Sequence, residues 1–274
     1  MPESGPAAPG DAVAGRRPVP FRGGGFALRP NRIAGAGGLL ALLALWQIGS
    51  TGGWISPLMA PAPSEVAVAL WAIAADGSLA THLAASLGRI GAGWAIGTLA
   101  GLAAGLAMGM FSLARAAGLP VVSALFPIPK IALLPLLILW LGIGEPSKVA
   151  TIALGTFFPT VIATFSAVDG VPRSLIRMAQ SFGVPTGRII WAVVLPGALP
   201  GILAGFRISA SIALILVVAA EMIAAEHGIG AFILLAGNLM RTDQLLAGVV
   251  VLSALGLLVA ALLSWAERVL LRWR

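Results

Sequence analysis

The 274-residue chain contains no cysteine and few charged residues. Without cysteine it can form neither a disulfide framework nor a thiolate metal or redox site. Charged residues make up 10% of the chain, 59% is hydrophobic, and the mean hydropathy is +1.00. Because charged residues make up about a quarter of an ordinary soluble domain, this composition indicates a single-domain integral membrane protein.

Motifs for nucleotide binding and catalysis are also lacking. No G-x-x-x-x-G-K-[ST] pattern occurs, and the two lysines, Lys130 and Lys148, follow a proline and a serine. Glu226-His227 is not part of an H-E-x-x-H motif, and His82 is the other histidine. There is also no nucleophile–base set that would suit an intramembrane enzyme. We therefore expect no enzyme activity, and no cofactor or metal bound by this chain.

Long apolar runs predict an all-α bundle of six membrane-crossing helices. The predicted spans are 33–48, 90–111, 119–141, 149–168, 193–220 and 245–265. Twelve of the 17 Lys and Arg residues precede the first span, follow the last, or lie in the loops after the second and fourth. This bias places both termini and the 169–190 loop in the cytoplasm. The net charge of +7 is therefore interpreted as a charge bias at one membrane face and not as a sign of nucleic-acid binding.

Residues 1–32 combine six prolines, repeated glycines and five arginines. We predict a disordered basic cytoplasmic tail, because such a segment buries too little apolar surface to offset its ordering entropy. The apolar run at 39–46 leaves the n-region of a signal peptide as the alternative. The lack of a persuasive small-residue cleavage site before Trp54 favours a retained first helix. Residues 33–274 are then the transmembrane domain.

Small-residue and short-helix patterns add detail to this bundle. The second span carries glycine at every fourth position from Gly93 to Gly109, which predicts close helix packing in lipid. Ser64-Glu65 starts a short helix at the outer surface. Residues 228–240 form about 20 Å of helix, too short for a span, and are expected as a gate element or an interfacial helix.

The segment 173–184 differs from its apolar neighbours. A helix from Pro172 to Phe182 is about 16 Å long and cannot cross a bilayer of about 30 Å. Gly183 supplies a left-handed stop and Pro185 prevents continuation. One face is apolar and the other polar. The apolar face has Leu175, Ile176, Ala179 and Phe182; the polar face has Arg173, Arg177, Gln180 and Ser181. The helix either rests on lipid headgroups or docks in a groove of a cytoplasmic partner.

The stretch "MAQSFG", nine residues and then "VVLP" resembles the signature loop of ATP-binding-cassette importer permeases. Gly183, Val193, Leu195 and Pro196 fit its spacing, whereas the family's Glu-Ala-Ala is here Arg177-Met178-Ala179. Five further stretches are similar to the nitrate, sulfonate and taurine branch of this family. They are "HLAASLGRI" (82–90), "PIPKIALLPLLILWLGIGEPSK" (127–148), "LPGALPGILAGFRIS" (195–209), "VVAAEMIAAEHGIG" (217–230) and "RTDQLLAGVVV" (241–251).

The resemblance implies a type I importer in a bacterial inner membrane, with 173–184 as the coupling helix. Two copies of the chain would form the path through the lipid, two cytoplasmic ATPase subunits holding ATP and Mg would dock beneath, and a periplasmic or lipid-tethered binding protein would deliver the solute. The implied ATPase-coupling residues are Arg173, Leu175, Ile176, Arg177, Ala179, Gln180, Ser181, Phe182 and Gly183.

The resemblance predicts a small anionic solute, taurine- or sulfonate-like or nitrate-like. An importer of a neutral or aromatic compound is the alternative. A stand-alone channel or secondary transporter is less favoured, because no coupling-ion carboxylate can be placed at mid-depth in the predicted spans.

Ionisable residues in or beside the spans are candidates for the translocation path, because their burial in lipid is costly. We predict Lys130, Arg207 and Glu221 for this role. Alternatives remain open: Lys130 could close a helix broken at Pro127 and Pro129, and Arg207 could pair with another helix. Arg89 is expected to snorkel to the outer interface.

Overall fold

The computed structural model describes residues 32–272, with side chains described from residue 35 onward. The predicted tail at 1–32 therefore lies outside the described residues, apart from Arg32. Within this part the chain is helical and contains no strand. The helices are α1 Arg32–Thr51, α2 Pro63–Ala75, α3 Ser78–Met110, α4 Ser112–Leu125, α5 Leu134–Leu141, α6 Glu145–Asp169, α7 Arg173–Ser181, α8 Thr186–Ile189, α9 Leu195–Ala224, α10 Ile229–Asn238 and α11 Thr242–Leu270.

The chain divides after Leu45 into two units. In the first unit, α1 presents exposed leucines at Leu39, Leu40, Leu42 and Leu45, an apolar surface of the kind that suits lipid. The second unit, from Trp46 onward, is the bundle that holds all the sites described below.

Helices α3 and α6 form the centre of this bundle and touch along their length through the glycines of α3. A Cβ added at Gly97 would lie 2.1 Å from Thr156 Oγ1 and 2.3 Å from the Ala153 carbonyl oxygen. A Cβ added at any of the other four glycines of the series would lie 2.6–2.7 Å from an atom of α6. Gly93 meets Ile152, Gly101 meets Thr160, Gly105 meets Thr164 and Gly109 meets Val168. The predicted close packing is confirmed.

Helix α9 packs on another side of α6, again through small residues. Gly205 faces Ala163, Gly201 faces Ala167, and a Cβ at Gly155 of α6 would overlap Leu216. Three buried threonine hydroxyls of α6 need no partner from another helix, because each donates to a carbonyl one turn earlier in its own helix, whereas the buried Thr164 hydroxyl has no hydrogen-bond partner among the described residues. Thr151 bonds Ser147, Thr156 bonds Ile152 and Thr160 bonds Thr156, at 2.7–3.0 Å.

Four helical stretches of the described chain are long and apolar enough to cross a membrane: Ser78–Met110, Glu145–Asp169, Thr186–Ala224 and Thr242–Leu270. A fifth crossing is possible if Ser112–Leu125 and Lys130–Leu141, which meet at an angle of 86°, count as one broken span. The break falls at Pro127 and Pro129, as the sequence predicts. The described part of α1 with side chains, Gly35–Thr51, is a shorter apolar helix, so a sixth crossing and the orientation of the termini stay predictions.

The fifth predicted span starts earlier than expected. Helix α8, a π-helical turn at Ile190–Val194 and α9 run on without interruption, so the helix starts at Thr186 and not at residue 193. The π turn lies just before Pro196. In a regular α-helix, the ring of a proline clashes with the carbonyl four residues earlier. In the π turn, the Leu195 N–H bonds the carbonyl five residues earlier, that of Ile190.

Two short helices lie outside these stretches, as predicted. Helix α2 begins with a capping interaction in which Glu65 accepts the Ala62 N–H at 2.9 Å. At the junction with α3, Asp76 accepts the Ser78 hydroxyl at 2.6 Å, which lowers the pKa of Asp76. Helix α10 covers ten residues of the segment predicted at 228–240.

We predict that Gly97→Ala lowers the free energy of unfolding by about 1–3 kcal/mol, because its Cβ would press on backbone and side-chain oxygens of α6. Gly91→Ala is the matched control on the same helix, since no atom lies within 4 Å of its added Cβ. Detergent-titrated unfolding measures both variants. An equal loss for the two variants would contradict the α3–α6 packing.

Candidate functional site

Helix α7 is set apart from the spans by its two ends. It starts after Pro172, whose carbonyl accepts the Leu175 N–H at 3.1 Å. It stops at Gly183, which has φ +69°; the Gly183 N–H bonds the Gln180 carbonyl at 2.9 Å, and the Val184 N–H bonds the Ala179 carbonyl at 3.1 Å. This pair of bonds is a Schellman motif, in which glycine adopts the left-handed conformation at little cost. The predicted stop at Gly183 is confirmed.

The next helix starts directly after this turn. Pro185 is the residue before it, and Thr186 is its first helical residue. The Pro185 carbonyl accepts the Arg188 N–H at 2.9 Å, so the helix restarts immediately after the turn.

The apolar face of α7 is divided between two environments. Ile176 and Ala179 pack against a buried cluster at this end of the bundle, which anchors the helix. The cluster consists of Val168, Val171, Ile189, Val194, Ala198 and Ile202. Leu175, Met178 and Phe182 are exposed, Phe182 to 81%. We call these three side chains the α7 ridge; Met178 was not among the predicted coupling residues.

The polar side of α7 is exposed as predicted. Arg173, Arg177 and Gln180 are open to the surroundings, whereas the Ser181 hydroxyl donates back to the Arg177 carbonyl at 2.9 Å. Ser181 therefore stabilises the last turn of the helix and offers little to a partner. The predicted coupling segment is thus one short helix that is anchored by Ile176 and Ala179, exposes the α7 ridge and has a cationic side.

At the opposite end of the bundle, Arg89 lies at the centre of a charge cluster. Its Nε and Nη2 each donate to one oxygen of Glu145 at 2.7 Å, and its Nη1 donates to Glu221 at 2.6 Å and to the His227 carbonyl at 2.7 Å. Arg89 is 4% exposed. The prediction that it snorkels to the interface is therefore wrong, because Arg89 is buried and its charge is compensated by the buried Glu221 and by Glu145, whose side chain is 60% exposed.

Glu221 is enclosed in this cluster, with 1% exposure. It accepts the Ser86 hydroxyl at 2.7 Å and the Gly230 N–H at 2.9 Å. The absence of a side chain at Gly228 gives it room, because a Cβ there would lie 2.3 Å from the Glu221 carboxyl carbon. In this conformation Glu221 fixes the start of α10 to α3 and does not contact an open path.

Lys130 lies at the break between α4 and α5. Its ammonium donates to the carbonyls of Leu125 at 2.7 Å, Phe126 at 3.2 Å and Ile128 at 2.7 Å, and lies 4.5 Å from the centre of the Phe158 ring. Lys130 thus bonds carbonyls at the break in the helix, of which that of Leu125 also accepts the Ile128 N–H at 3.3 Å. In the structure Lys130 closes the broken helix, which is one of the two roles that the sequence left open. A place for Lys130 in a translocation path stays a prediction.

Arg207 joins two helices. Its Nη2 donates to Glu267 at 2.5 Å and to the Ser264 hydroxyl at 3.1 Å, so that α9 and α11 are linked. This is the interhelical pair that the sequence left open as an alternative. A contact of Arg207 with solute also stays a prediction.

The sequence reasoning missed Ser86 and Glu145. Both lie in stretches that resemble the importer permeases, but their partners are 135 and 56 residues away along the chain. One usable signal was present, because a buried arginine near the end of a span requires carboxylates nearby.

No group of three His, Cys, Asp or Glu side chains suited to a metal ion occurs among residues 35–272. The two histidines, His82 and His227, are near each other with ring centres 6.0 Å apart. His82 Nδ1 accepts the Gly228 N–H at 3.0 Å, and so belongs to the attachment of α10.

We predict that Glu221→Gln lowers the free energy of unfolding by about 3 kcal/mol, because it removes one of the two charges that compensate buried Arg89. Glu226→Gln, at an exposed neighbouring glutamate, is the control and should stay within about 0.5 kcal/mol of the parent. Thermal unfolding in detergent measures both. A Glu221→Gln variant as stable as Glu226→Gln would show that the Arg89 charge cluster does not hold this end together.

Comparison with solved structures shows the fold. The chain is similar to two crystal forms of the MetNI methionine ABC transporter in inward-facing conformations. One match has a TM-score of 0.61 at 19% identity and covers 69% of this chain and 94% of that chain. The other has a TM-score of 0.58 at 21% identity and covers 68% and 93%.

Comparison of sequences extends the similarity to most of the chain. The taurine transport system permease protein TauC of Escherichia coli K12 is 39% identical over 86% of this chain and 88% of its own. A putative aliphatic sulfonates transport permease protein, SsuC, of the same organism is 36% identical over 85% and 89%. The riboflavin transport system permease protein RibX of Chloroflexus aurantiacus is 33% identical over 86% and 88%.

The profile of the family described as "Binding-protein-dependent transport system inner membrane component" matches residues 97–273. This region includes α7, the break at Lys130, and Glu145 and Glu221 of the charge cluster. The chain therefore belongs to the binding-protein-dependent transport system inner membrane components, as a permease of the branch that includes taurine and aliphatic sulfonate permeases.

Proposed function

We propose that this chain is the membrane subunit of an ATP-driven importer for taurine or related small sulfonates, and that α7 receives the motion of an ATPase subunit. The observation that carries the coupling proposal is the α7 ridge. It exposes Leu175, Met178 and Phe182 on a helix too short to cross a bilayer. Three large apolar side chains on one helix face suit the groove of a protein partner.

The anchoring of α7 supports a mechanical role. Ile176 and Ala179 pack on a cluster that includes Val168 of α6 and Ile202 of α9, so a push on the ridge would move the ends of both spans. Each ridge side chain that a partner buries fully contributes about 1.5–3 kcal/mol. Arg177 stands where the family has glutamate, so the proposed docking relies on apolar contact and not on a salt bridge from that position.

In the proposed assembly, two copies of the chain form the translocation path, each with six spans and both termini in the cytoplasm. Two ATPase subunits, which bind ATP and Mg, dock on the α7 ridges. A periplasmic or lipid-tethered binding protein delivers the solute at the end of the bundle that carries Arg89. The basic residues around α7, among them Arg173, Arg177 and Arg188, support the cytoplasmic assignment of that end.

The substrate proposal rests on the relatives named for taurine and aliphatic sulfonates. Lys130 and Arg207 do not support the substrate proposal in this conformation, because Lys130 bonds backbone carbonyls and Arg207 is paired with Glu267. For these residues to contact a solute, the transport cycle would have to exchange those partners. The same holds for Glu221, which Arg89 and Ser86 enclose.

A second candidate is an importer of a neutral or aromatic compound. The riboflavin permease relative, 33% identical over 86% of this chain, favours it. Lys130 and Arg207, the ionisable residues proposed for an anion, both have partners within the bundle and so do not argue against this choice.

We predict that replacing all three ridge residues by serine (Leu175→Ser, Met178→Ser, Phe182→Ser) lowers recovery of the cognate ATPase subunit in co-purification at least about tenfold. The loss of one buried side chain already exceeds the ~1.4 kcal/mol that corresponds to a factor of ten. Leu113→Ser is the matched control, because Leu113 is 82% exposed at the same end of the bundle but on α4. Undiminished recovery of the ATPase by the triple variant would rule out docking on α7.

For the substrate, we expect vesicles that contain the complete importer to accumulate taurine only with ATP inside and binding protein outside. Excess alkanesulfonate should compete and excess riboflavin should not. Uptake by this chain without the ATPase would contradict an ATP-driven importer. Competition by riboflavin but not by sulfonates would favour the neutral or aromatic solute.

A further inference from the structure

A cavity of about 330 Å³ lies behind α7. Its walls come from the end of α3, the start of α4, the end of α6, α7, α8 and the π-helical turn at Ile190–Val194, with Met110, Ile176 and Val194 among its apolar residues. The volume lies within the range of ligand pockets, roughly 300–1,000 Å³, which are commonly apolar with a few converging polar groups. Here those groups are Arg115, Arg173, Asp169, Gln180 and Thr186.

The ionisable residues of this cavity are two arginines and one aspartate, so its walls carry a net positive charge. Arg115 donates from Nη1 to Asp169 at 2.9 Å and lies over the Phe165 ring, 4.9 Å from its centre. These contacts hold the guanidinium in place but use one of its five N–H donors. Within residues 35–272, the structure records no hydrogen bond for the Arg173 guanidinium.

The cavity lies where two membrane-crossing helices end. Helix α3 ends at Met110 and α6 ends at Asp169, and both line it. The polar groups of the cavity therefore lie at the ends of two helices that are long and apolar enough to cross a membrane. Basic pockets between the ends of spans are typical binding sites for anionic headgroups.

We propose that this cavity binds one phosphate group between Arg115 and Arg173, carried by an anionic phospholipid or by a soluble phosphate ester. Planar guanidinium groups match phosphate oxygens in paired hydrogen bonds. The phosphate completes a set of donors that Asp169 satisfies only in part. Arg173, Ile176 and Gln180 come from α7, so the bound group ties α7 to the ends of α3 and α6. A displacement of α7 changes the affinity, and occupancy in turn biases the position of α7.

The binding test uses the full chain purified in a neutral detergent and native mass spectrometry. Phosphatidylglycerol and phosphatidylcholine with the same acyl chains are titrated separately, and glycerol 3-phosphate is the soluble probe. We expect one tightly held phosphatidylglycerol or glycerol 3-phosphate, and little binding of phosphatidylcholine. Arg115→Gln should weaken binding about fivefold, the effect of one arginine charge near a membrane surface.

Two further variants separate a binding site from a merely structural ion pair. Asp169→Asn removes the carboxylate that competes for Arg115 and should strengthen phosphate binding. If the Arg115–Asp169 pair only supports the fold, Asp169→Asn will weaken binding as Arg115→Gln does, and the proposal is overturned. Arg188→Gln is the matched control, because Arg188 is exposed at the same end but does not line the cavity.

The lipid arm and the soluble arm identify the source of the phosphate. If the chain binds phosphatidylglycerol but not glycerol 3-phosphate, the phosphate comes from a lipid. If it binds glycerol 3-phosphate but not phosphatidylglycerol, the phosphate comes from a soluble ester. Either result supports the site. Equal affinity for the two lipids with no binding of the ester, or equal weakening by Arg188→Gln and Arg115→Gln, overturns it. The binding test contains neither an ATPase subunit nor a transported solute. A negative result would therefore overturn the phosphate site without contradicting the proposed transport function.

Discussion

The bundle depends on direct contact between the backbones of α3 and α6. In lipid the hydrophobic effect does not press helices together, so close van der Waals contact must do so. Five glycines on α3 face Ile152, three threonines and Val168 of α6 at the same four-residue interval. The Thr156 and Thr160 hydroxyls bond within their own helix, so that this contact surface is uncharged where it is tightest. Helices α4, α5 and α9 pack against this pair.

The two ends of the bundle are held by different forces. At one end, Arg89 joins α3, α6, α9 and the start of α10 through charge-assisted hydrogen bonds, whose directions are restrictive. At the other end, α7 is held by apolar packing around Val168 and Val171, which tolerates small shifts. The Arg115–Asp169 ion pair at this end joins α4 to the end of α6 and does not include α7, which carries the exposed ridge. In the proposed mechanism, α7 would therefore shift without breaking a charge pair of its own.

Much of this architecture could be predicted from local sequence. Apolar length identified the long helices, the glycine period identified the α3 contact, and Gly183 identified the end of α7. The pairings of charged residues could not be predicted in the same way. Arg89 and Glu221 are 132 residues apart, and Arg207 and Glu267 are 60 apart, so their contact depends on how the helices pack. For the same reason, the sequence did not show which part of the α7 apolar face is buried.

The uninterrupted helix from Thr186 to Ala224 spans nearly the whole distance between these ends. Its 39 residues make a rod of roughly 58 Å, about twice the hydrocarbon thickness of a bilayer. The turn that closes α7 leads into one tip, and Glu221 lies within the last turn at the other. A helical connection without a loop therefore joins the first tip to the carboxylate, and the π turn at 190–194 and Pro200 are the points at which it can bend.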